Sequence, residues 1–410
     1  MQTNLLKNLL ETPQGQEADS ILRSCVHCGF CTATCPTYQI LGDELDSPRG
    51  RIYLIKQVLE GEPVSDKTRS HLDRCLTCRS CETTCPSGVK YGRLIDIGRE
   101  VVEKQTSRNL IERTTRYALR KIIPYPERFG FLLKLGNTFK PFLPETLKHK
   151  IPEINKAGQW PEYKNKHKRK MLVLEGCVQQ TVSAQTNVST ANVLSKLGIQ
   201  LIQQKEVKCC GALSQHLNAT DEAIKTIKHN IDNWWQHVNN GIEAIVITAS
   251  GCGIMVKDYA HLLEHDENYA VKARRISALA KDISEIIATE NLQICASNNI
   301  KTSVAFHSPC TLQHGLQLNG VVEKILTDVG YHLTQVSDAH LCCGSAGTYS
   351  ILQAELSKKL LNNKISALQK NHPDIIATAN IGCQMHLSTE SDKPVKHWIE
   401  LVETAICEVQ

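Results

Sequence analysis

Two stretches of the sequence, CVHCGFCTATCP at residues 25–36 and CLTCRSCETTCP at residues 75–86, carry the same arrangement of cysteines. Each has the form C-x₂-C-x₂-C-x₃-C-P. Three thiolates on such a tight loop can bind three corners of an iron–sulfur cubane, and the fourth cysteine ligates the other cluster of a two-cluster domain. Two copies of this pattern therefore predict a domain that holds two [4Fe–4S] clusters.

The exchange of the fourth cysteine between motifs predicts the ligands of each cluster. We expect cluster one to be held by Cys25, Cys28, Cys31 and Cys85. We expect cluster two to be held by Cys35, Cys75, Cys78 and Cys81. Zinc is the alternative, because C-x₂-C is also a zinc spacing. A zinc site needs four ligands on two such knuckles, so the third C-x₂ step in both copies favours iron–sulfur clusters.

The segment between the two motifs contains a predicted helix, SPRGRIYLIKQVLEG at residues 47–61. Ser47 is a preferred N-cap, Pro48 suits the first helical position, and Gly61 suits the end of a helix. Apolar residues recur at helical spacing at Ile52, Ile55 and Leu59. With the two motifs, this segment resembles the α-helical ferredoxin domain of succinate dehydrogenase and fumarate reductase iron–sulfur subunits.

Two arginines of this predicted helix, Arg49 and Arg51, allow two interpretations. Their positive charges could offset the negative charge of thiolate-ligated clusters. Alternatively, they belong to a solvated helix face, as charged residues on helices usually do.

Composition places the chain among cytoplasmic metal-binding proteins. It has 410 residues and 18 cysteines, all but Cys295 and Cys407 in ordered motifs, and we expect these two to be buried apolar thiols. We find neither a secretory signal nor a run near the ~18 apolar residues of a membrane span. In the cytoplasm thiols stay reduced, and cysteine clusters there more often bind metal than form disulfides. The net charge of +5 is too mild to indicate a nucleic-acid partner.

Residues 101–168 contain no cysteine and are predicted to be a linking or packing segment. Their main features are an aromatic, apolar stretch at residues 129–144 and a basic run from Lys164 to Lys170. This combination could rest on an anionic membrane, which would place the protein peripherally on the inner face of the cell inner membrane. Alternatively, the first feature packs on the ferredoxin domain and the second is the solvated start of a strand.

The C-terminal part of the chain repeats itself. In the first copy, MLVLEGC ends at Cys177, CCGAL begins at Cys209, and AIVITASGC ends at Cys252. The corresponding cysteines of the second copy follow 133, 133 and 131 residues later, at Cys310, Cys342 and Cys383. Each cysteine site follows a short β-branched segment and precedes a helical one, which predicts βαβ units and a parallel sheet in each copy.

Ligands of such sheets gather beyond the carboxyl ends of the strands, so we expect four thiols to converge in each repeat. The candidate metal ligands of the first repeat are Cys177, Cys209, Cys210 and Cys252. Those of the second repeat are Cys310, Cys342, Cys343 and Cys383. Gly211 and Gly344 would let the backbone pass close to the bound group.

These motifs resemble the cysteine-rich "CCG" domains of heterodisulfide reductase subunits, some of which hold a non-cubane iron–sulfur cluster there. The family pattern ends each motif with C-x-x-C. This sequence instead has CGIM, ending at Met255, and CQMH, ending at His386. His386 could supply an extra ligand, whereas Met255 is a poor substitute for a thiolate. An additional iron–sulfur cluster and a zinc ion both remain open for these sites, and the histidine favours the second repeat.

The fold class predicted is α+β multidomain, with an α-helical ferredoxin domain followed by two repeated α/β cysteine-rich (CCG) domains. The boundaries we expect are 1–100 for the ferredoxin domain, 101–168 for the linking segment, 169–290 for the first CCG domain and 291–410 for the second. We find no G-x-G-x-x-G at a strand–helix turn, so we expect no dinucleotide site and no catalytic residues in this chain. An electron carrier without flavin or nicotinamide must receive its electrons from a partner.

This order of parts is similar to that of the iron–sulfur subunits of bacterial glycolate oxidases over essentially the full length. The residues that carry the resemblance include HLDRCLTCRSCETTCPSG and LCCGSAGTYS. The resemblance implies a hetero-oligomeric complex in which FAD-containing flavoprotein subunits oxidise glycolate to glyoxylate, while this subunit passes electrons towards a quinone-type acceptor. Less specific relatives are lactate-utilisation iron–sulfur proteins and the iron–sulfur subunit of anaerobic glycerol-3-phosphate dehydrogenase. A thiol or disulfide reductase acting at the CCG sites and an anchor subunit with purely structural clusters are the rival hypotheses.

Overall fold

The computed structural model of the protein describes residues 1–142, 144, 152, 157–163, 167–292 and 300–406. Cys295, Cys407 and part of the basic run from Lys164 to Lys170 lie outside the described residues. The chain forms two compact units. The first unit combines Met1–Arg116 with Asp338–Lys364, and the second combines Tyr117–Ser337 with Ile365–Gln410.

Helices dominate the N-terminal part of the chain, and helices alternate with strands in the two repeats. The N-terminal part contains α1 (Lys7–Leu10), α2 (Pro13–Ser24), α3 (Pro36–Leu41), α4 (Pro48–Leu59), α5 (Asp66–Asp73), α6 (Ser80–Thr83), α7 (Tyr91–Gln105), α8 (Leu110–Ile122) and α9 (Pro126–Phe139). The first repeat contains β1 (Arg169–Leu174), α10 (Gln179–Val182), α11 (Ala184–Lys196), β2 (Ile199–Ile202), α12 (Ala212–His216), α13 (Thr220–Asn239), β3 (Ile245–Ile247), α14 (Ser250–Lys257), α15 (Tyr259–Leu262), α16 (Ala270–Leu279), β4 (Ala280–Asp282) and α17 (Ile283–Ile287). The second repeat contains β5 (Ser303–His307), α18 (Val321–Asp328), β6 (His332–Leu333), α19 (Tyr349–Leu352), α20 (Ala354–Gln369), β7 (Ile375–Thr378), α21 (Ile381–Ser388), β8 (Val395–His397) and α22 (Trp398–Ala405).

Helix α4 begins and ends where the sequence predicts. The Ser47 side chain accepts a hydrogen bond from the backbone N–H of Gly50, and Pro48 is the first helical residue. The helix ends at Leu59, two residues before Gly61, whose φ of 99° is unfavourable for other residues. Its predicted apolar face is buried. The predicted helix is therefore confirmed.

The core of the first unit forms where α4 meets α2 and α7. Ile55 of α4 and Leu94 and Ile95 of α7 are fully buried. Gly98 lets the two helices approach closely, because a Cβ at this position would lie 2.6 Å from the side chain of Ile55. This packing gives a rigid base for the two cysteine motifs, which lie in the loops and short helices around it.

The second unit contains two four-stranded parallel sheets, with strand orders β2-β1-β3-β4 and β6-β5-β7-β8. In the first sheet, Leu172 of β1 lies opposite Ile202 of β2 and Ile245 of β3. In the second sheet, Val304 occupies the corresponding place on the central strand β5. The predicted internal repeat and its two parallel sheets are therefore confirmed.

The two repeats exchange their final helices. Helix α22 of the second repeat packs on α11 of the first, and α17 of the first repeat packs on α18 of the second. Thr186 donates a hydrogen bond to Glu400 at 2.8 Å, and the side chain of His397 bonds the backbone carbonyl of Thr248 at 2.8 Å. One apolar core runs through both repeats. Apart from Asp338–Lys364, the two repeats therefore belong to one compact unit, and the predicted domain boundaries stay a prediction.

Helix α9 carries the aromatic, apolar stretch that the sequence singles out. Its inner side packs on α10, where Gly130 lies against Thr181 and Leu133 is buried. The other side exposes a group of large apolar residues that we call the α9 ridge. The ridge comprises Phe131, Leu132, Leu135, Phe139 and, just beyond the helix, Phe142. Among the described residues, no helix is long and apolar enough to cross a membrane.

Candidate metal centres

A first cavity, partly open to solvent, is lined by the cysteines predicted for cluster one, together with Cys81. Cys25 caps the end of α2, and Cys28 and Cys31 follow it on a short loop. His27 and Gly29 adopt left-handed backbone conformations, with φ of 56° and 85°, which let the loop curl around the cavity. Cys85, from the other motif, completes the lining.

A second cavity, also partly open to solvent, is lined by the four cysteines predicted for cluster two. Three of them come from the second motif, and Cys35 comes from the first. Thr77 and Arg79 are left-handed, with φ of 53° and 60°, at the positions that correspond to His27 and Gly29. The two motifs therefore share one loop conformation, although the second uses an arginine where the first uses glycine.

The donor sets of both cavities suit iron–sulfur clusters, because each brings four thiols to one concave site. Burial and the neighbouring charge of Cys25 raise the pKa of Cys31 to about 11, and burial raises the pKa of Cys81 well above its ordinary value. Closely spaced thiolates in a low dielectric repel one another unless a cationic centre lies between them. The assignment of individual ligands to each cluster stays a prediction that the two linings support.

Side chains that the sequence analysis missed contact the thiols of the second cavity. The hydroxyl of Tyr91 donates to the sulfur of Cys75 at 3.6 Å, and the backbone N–H of Thr77 points to the same sulfur at 3.4 Å. The hydroxyl of Thr37 lies 3.3 Å from the sulfur of Cys35. Hydrogen bonds to cluster sulfurs help to set the reduction potential. Of these residues, only Thr37 could have been suspected from the sequence, because it follows the motif's Cys–Pro pair.

The two arginines of α4 differ in their surroundings. Arg51 is buried, with 1% of its side chain exposed, so the interpretation as a solvated face is wrong for this residue. Arg49 is partly exposed and forms an ion pair with Glu44, with 2.7 Å between Nε and Oε1.

The four thiols of the first repeat form a chain. The sulfurs of Cys177 and Cys209 are 3.3 Å apart, and the sulfur of Cys210 hydrogen-bonds with those of Cys209 and Cys252. Cys177 lies beyond the end of β1, and Cys252 lies in the first turn of α14, beyond the end of β3. The predicted convergence of these four thiols at the carboxyl ends of the strands is therefore present.

Buried polar side chains hold the Cys–Cys–Gly turn of this repeat. Asn230 donates to the carbonyl of Cys209 at 2.9 Å, and Tyr259 donates to the carbonyl of Cys210 at 2.7 Å. Gly211, with φ of 94°, follows them. The Cε atom of Met255 would lie 3.5 Å from a Cβ at Gly211, so the residue that replaces the last family cysteine packs against the turn.

The pKa of Cys209 is shifted in the opposite direction from those of Cys177 and Cys210, which their neighbours and burial raise. Hydrogen bonds from Cys177 and Cys210 hold the pKa of Cys209 well below its ordinary value, although burial opposes this effect. A thiolate is the form that binds metal. The first repeat therefore presents one stabilised thiolate with three further thiols in contact along the chain of sulfurs.

The cysteines of the second repeat are divided between the two units. Cys310 and Cys383 belong to the second unit, and Cys342 and Cys343 belong to the stretch Asp338–Lys364 of the first. Gly344 follows them with φ of 89°, and a Cβ there would lie 2.8 Å from the carbonyl oxygen of Ser357. Only glycine is free of strain at this turn.

Two histidines of the second repeat are candidate ligands, and His307 lies near Cys383. His307 ends β5, and one of its ring nitrogens lies within 4.8 Å of the sulfur of Cys383. Its Nδ1 is 3.0 Å from the hydroxyl of Thr378. His307 is not among the ligands predicted from the sequence. Its position at a strand end, three residues before Cys310, could have indicated it as a candidate ligand. His386, which the sequence analysis proposes as a ligand, lies on α21 and is partly buried.

Comparisons with known proteins agree with this arrangement. The 4Fe-4S dicluster domain family matches residues 21–89. The cysteine-rich domain family, CCG, matches residues 171–257 and 304–388. The fold and these matches define an iron–sulfur protein with a helical dicluster domain and two cysteine-rich domains, which confirms the predicted fold class.

The relatives identify the family within this class. The chain is 53% identical over 407 residues to the glycolate oxidase iron–sulfur subunit of Escherichia coli strain K12, covering 99% of both chains. It is 31% identical over 402 residues to the probable glycolate oxidase iron–sulfur subunit of Bacillus subtilis, covering 90% of both. Lactate utilization protein A of Bacillus subtilis is 25% identical over 218 residues, which are 52% of this chain and 90% of that protein. The chain belongs to the family of glycolate oxidase iron–sulfur subunits, as its sequence motifs predicted.

Proposed function

We propose that the chain is the electron-transfer subunit of a flavin-dependent complex that oxidises glycolate to glyoxylate. FAD-containing flavoprotein subunits would bind and oxidise the substrate, and this subunit would pass the electrons towards a quinone-type acceptor. The observation that carries the proposal is the adjacency of the two cysteine-lined cavities, which share Pro48, Cys81 and Tyr91 in their linings.

The number of electrons that the reaction releases gives such a subunit a clear role. Glycolate loses two electrons and two protons when it becomes glyoxylate. A bound [4Fe–4S] cluster supplies a centre that accepts and donates one electron at a time. The cysteines would hold two such centres side by side, while the packed helices α2, α4 and α7 keep their separation constant and limit the access of water.

Two observations bear on the alternative functions. The chain covers 99% of the E. coli glycolate oxidase subunit but matches lactate utilization protein A over only about half its own length, which favours glycolate over lactate. Met255 and His386 stand where the family pattern of thiol-active CCG domains has cysteines, which disfavours a heterodisulfide-reductase-like activity. A role in glycerol-3-phosphate dehydrogenation has no observation in its favour.

A reconstitution experiment tests the proposal. We expect the purified chain alone to give no glycolate-dependent dye reduction, since it offers no flavin site that we recognise. After addition of its co-purifying flavoprotein subunits, glycolate should reduce the dye, and glycolate should be a better substrate than lactate. Glycolate turnover by the single chain, free of flavoprotein, would refute the proposal, as would a reconstituted complex in which the clusters stay oxidised during turnover.

We also propose that the protein contacts the membrane peripherally through the α9 ridge. Phe131 and Phe142 of the ridge expose 67% and 84% of their surface. Arg128, Lys134 and Lys140 lie on or just after the same helix and suit anionic headgroups. The basic run contributes less than the sequence suggested, because Arg169 forms ion pairs with Glu243 and Glu290.

The membrane proposal predicts a specific loss of binding. Replacing Phe131 by Asp should weaken binding to phosphatidylglycerol vesicles about tenfold or more, because burial of one aromatic side chain contributes about 1.5–3 kcal/mol. Val271→Asp is the matched control, since Val271 is equally exposed, at 68%, but lies on α16. Sedimentation at low and high salt measures both variants. Equal binding of Phe131→Asp and the original chain would exclude the ridge as the contact. Equal binding to neutral and anionic vesicles would exclude a contribution from its basic residues.

A further inference from the structure

The second cavity contains a buried positive charge. Arg51 lines this cavity with its four cysteines, and its guanidinium is fixed by three hydrogen bonds. These run to the carbonyl of His71 at 2.7 Å, to the hydroxyl of Thr37 at 3.1 Å and to the carboxylate of Asp46 at 3.2 Å. A guanidinium held in this way cannot turn towards solvent.

The surrounding charges leave this site net positive. Asp46 is fully buried and is shared between Arg51 and Arg74, whose Nη1 lies 2.9 Å from the second carboxylate oxygen. Arg99 approaches from α7 and donates to the backbone carbonyls of Cys75, at 2.6 Å, and Leu72, at 2.8 Å. Arg79 also lines this cavity, and Glu82 lies close to Arg79 beside Gly92. Four guanidinium groups and two carboxylates therefore lie at or near the second cavity.

Among the described residues, no buried guanidinium lines the first cavity, and one positive charge near it is the ammonium group of Met1, 2.8 Å from the carbonyl of Cys25. The arginine that lines this cavity, Arg49, pairs with Glu44, and their side chains are 35% and 44% exposed. Solvent screens an exposed pair of this kind, and its two charges largely cancel. The two cavities thus differ in a fully buried guanidinium, which among the described residues lines the second cavity and not the first.

A buried positive charge beside the second cavity favours the more negative, reduced state of a cluster held there.

We propose that Arg51, assisted by Arg99, sets the reduction potential of cluster two above that of cluster one, so that an electron entering at cluster one settles on cluster two. The proposal rests on the ligand sets and the electron-transfer role proposed above. Cys28 is exposed, so cluster one lies nearer the surface, where a donor can approach it. Solvent near cluster one would also raise the reduction potential of that cluster. The effect of water dipoles is weaker than that of fixed charges in a site that excludes water. Arg51 is thus a positioning and tuning residue, not a catalytic one.

Redox titration of the full chain, followed by electron paramagnetic resonance, tests this proposal. The original protein should show two one-electron steps. Arg51→Met should lower the upper step by at least a tenfold change in the reduction equilibrium, which is about 59 mV for a one-electron couple, and should leave the lower step in place. Arg51→Lys should retain most of the original potential, because it keeps the charge. Arg49→Met is the matched control on the same helix and should move neither step appreciably.

The outcomes separate this proposal from the one on which it rests. Two clusters with unchanged potentials in Arg51→Met, or a shift of the lower step alone, would overturn the role of Arg51. Fewer than two clusters in the original protein would instead overturn the proposed dicluster function. If Arg51→Met does not assemble its clusters, Arg99→Met is the variant that tests the proposal. A lower potential of the upper step in Arg99→Met would support the proposal, and an unchanged potential would overturn it.

Discussion

Replacing Cys85 with Ser is expected to remove the cluster bound by the first motif, although Cys85 belongs to the second. The structure places Cys85 in the lining of the first cavity with Cys25, Cys28 and Cys31. Cluster two would keep all four of its thiols. Iron should therefore fall by about four atoms per chain, and transfer through the complex should drop to near background. Site-resolved Mössbauer or paramagnetic resonance spectra measure which cluster is lost.

The mirror variant, Cys35→Ser, is the matched control. Cys35 lies in the first motif but lines the second cavity, so its replacement should remove cluster two and spare cluster one. The two variants should therefore give complementary spectra. If each variant lost the cluster of its own motif instead, the exchange of ligands would be wrong, and the two cavities would need a different assignment.

Local signals in the sequence were sufficient to predict those elements whose structure is determined by residues close together in the chain. The N-cap at Ser47, the proline after it and the glycine at 61 all act through their own backbone neighbours, and α4 has the predicted bounds. The cysteine spacing likewise determines which thiols share a loop. The repeated pattern of strands and cysteines was sufficient to predict the two parallel sheets, because their strands are short apolar segments between helices.

Features that depend on contacts distant in sequence could not be predicted in this way. The burial of Arg51 follows from Asp46 and from the carbonyl of His71, a residue twenty positions later, and nothing in the local pattern indicates it. The exchange of α17 and α22 between repeats also depends on tertiary packing. So does the inclusion of Asp338–Lys364 in the first unit, where Tyr349 donates a hydrogen bond to the carbonyl of Arg74.

The second cysteine-rich site has some residues that the sequence could predict and one that it could not. The sequence identified Cys310 and Cys383 by their offset from the first repeat, and both follow strands β5 and β7 as expected. It did not identify His307, because a histidine at the end of a strand is more often a packed core residue than a ligand. The proximity of His307 to Cys383 becomes visible only when the parallel strands β5 and β7 are paired.

The first cysteine-rich repeat should bind a metal centre through its four thiols, and Cys209→Ser should abolish that binding. Cys209 lies between Cys177 and Cys210 in the chain of thiols, and hydrogen bonds from both hold its pKa well below the ordinary value. Removing it breaks the chain and replaces the preferred thiolate ligand with a hydroxyl. The original protein should contain either clearly more than the about eight iron atoms of two cubanes or near-stoichiometric zinc. The variant should lose this excess almost completely.

Elemental analysis with paramagnetic resonance separates this site from the two ferredoxin-type clusters, whose spectra should not change in Cys209→Ser. Met255→Leu is the matched control, because Met255 packs against the same turn and is equally buried but offers no thiol. It should keep the excess metal, since leucine has a similar volume. About eight irons and no zinc in the original protein, with unchanged electron transfer in Cys209→Ser, would show that these thiols only pack the turn. The electron path would then end at the two clusters of the N-terminal domain.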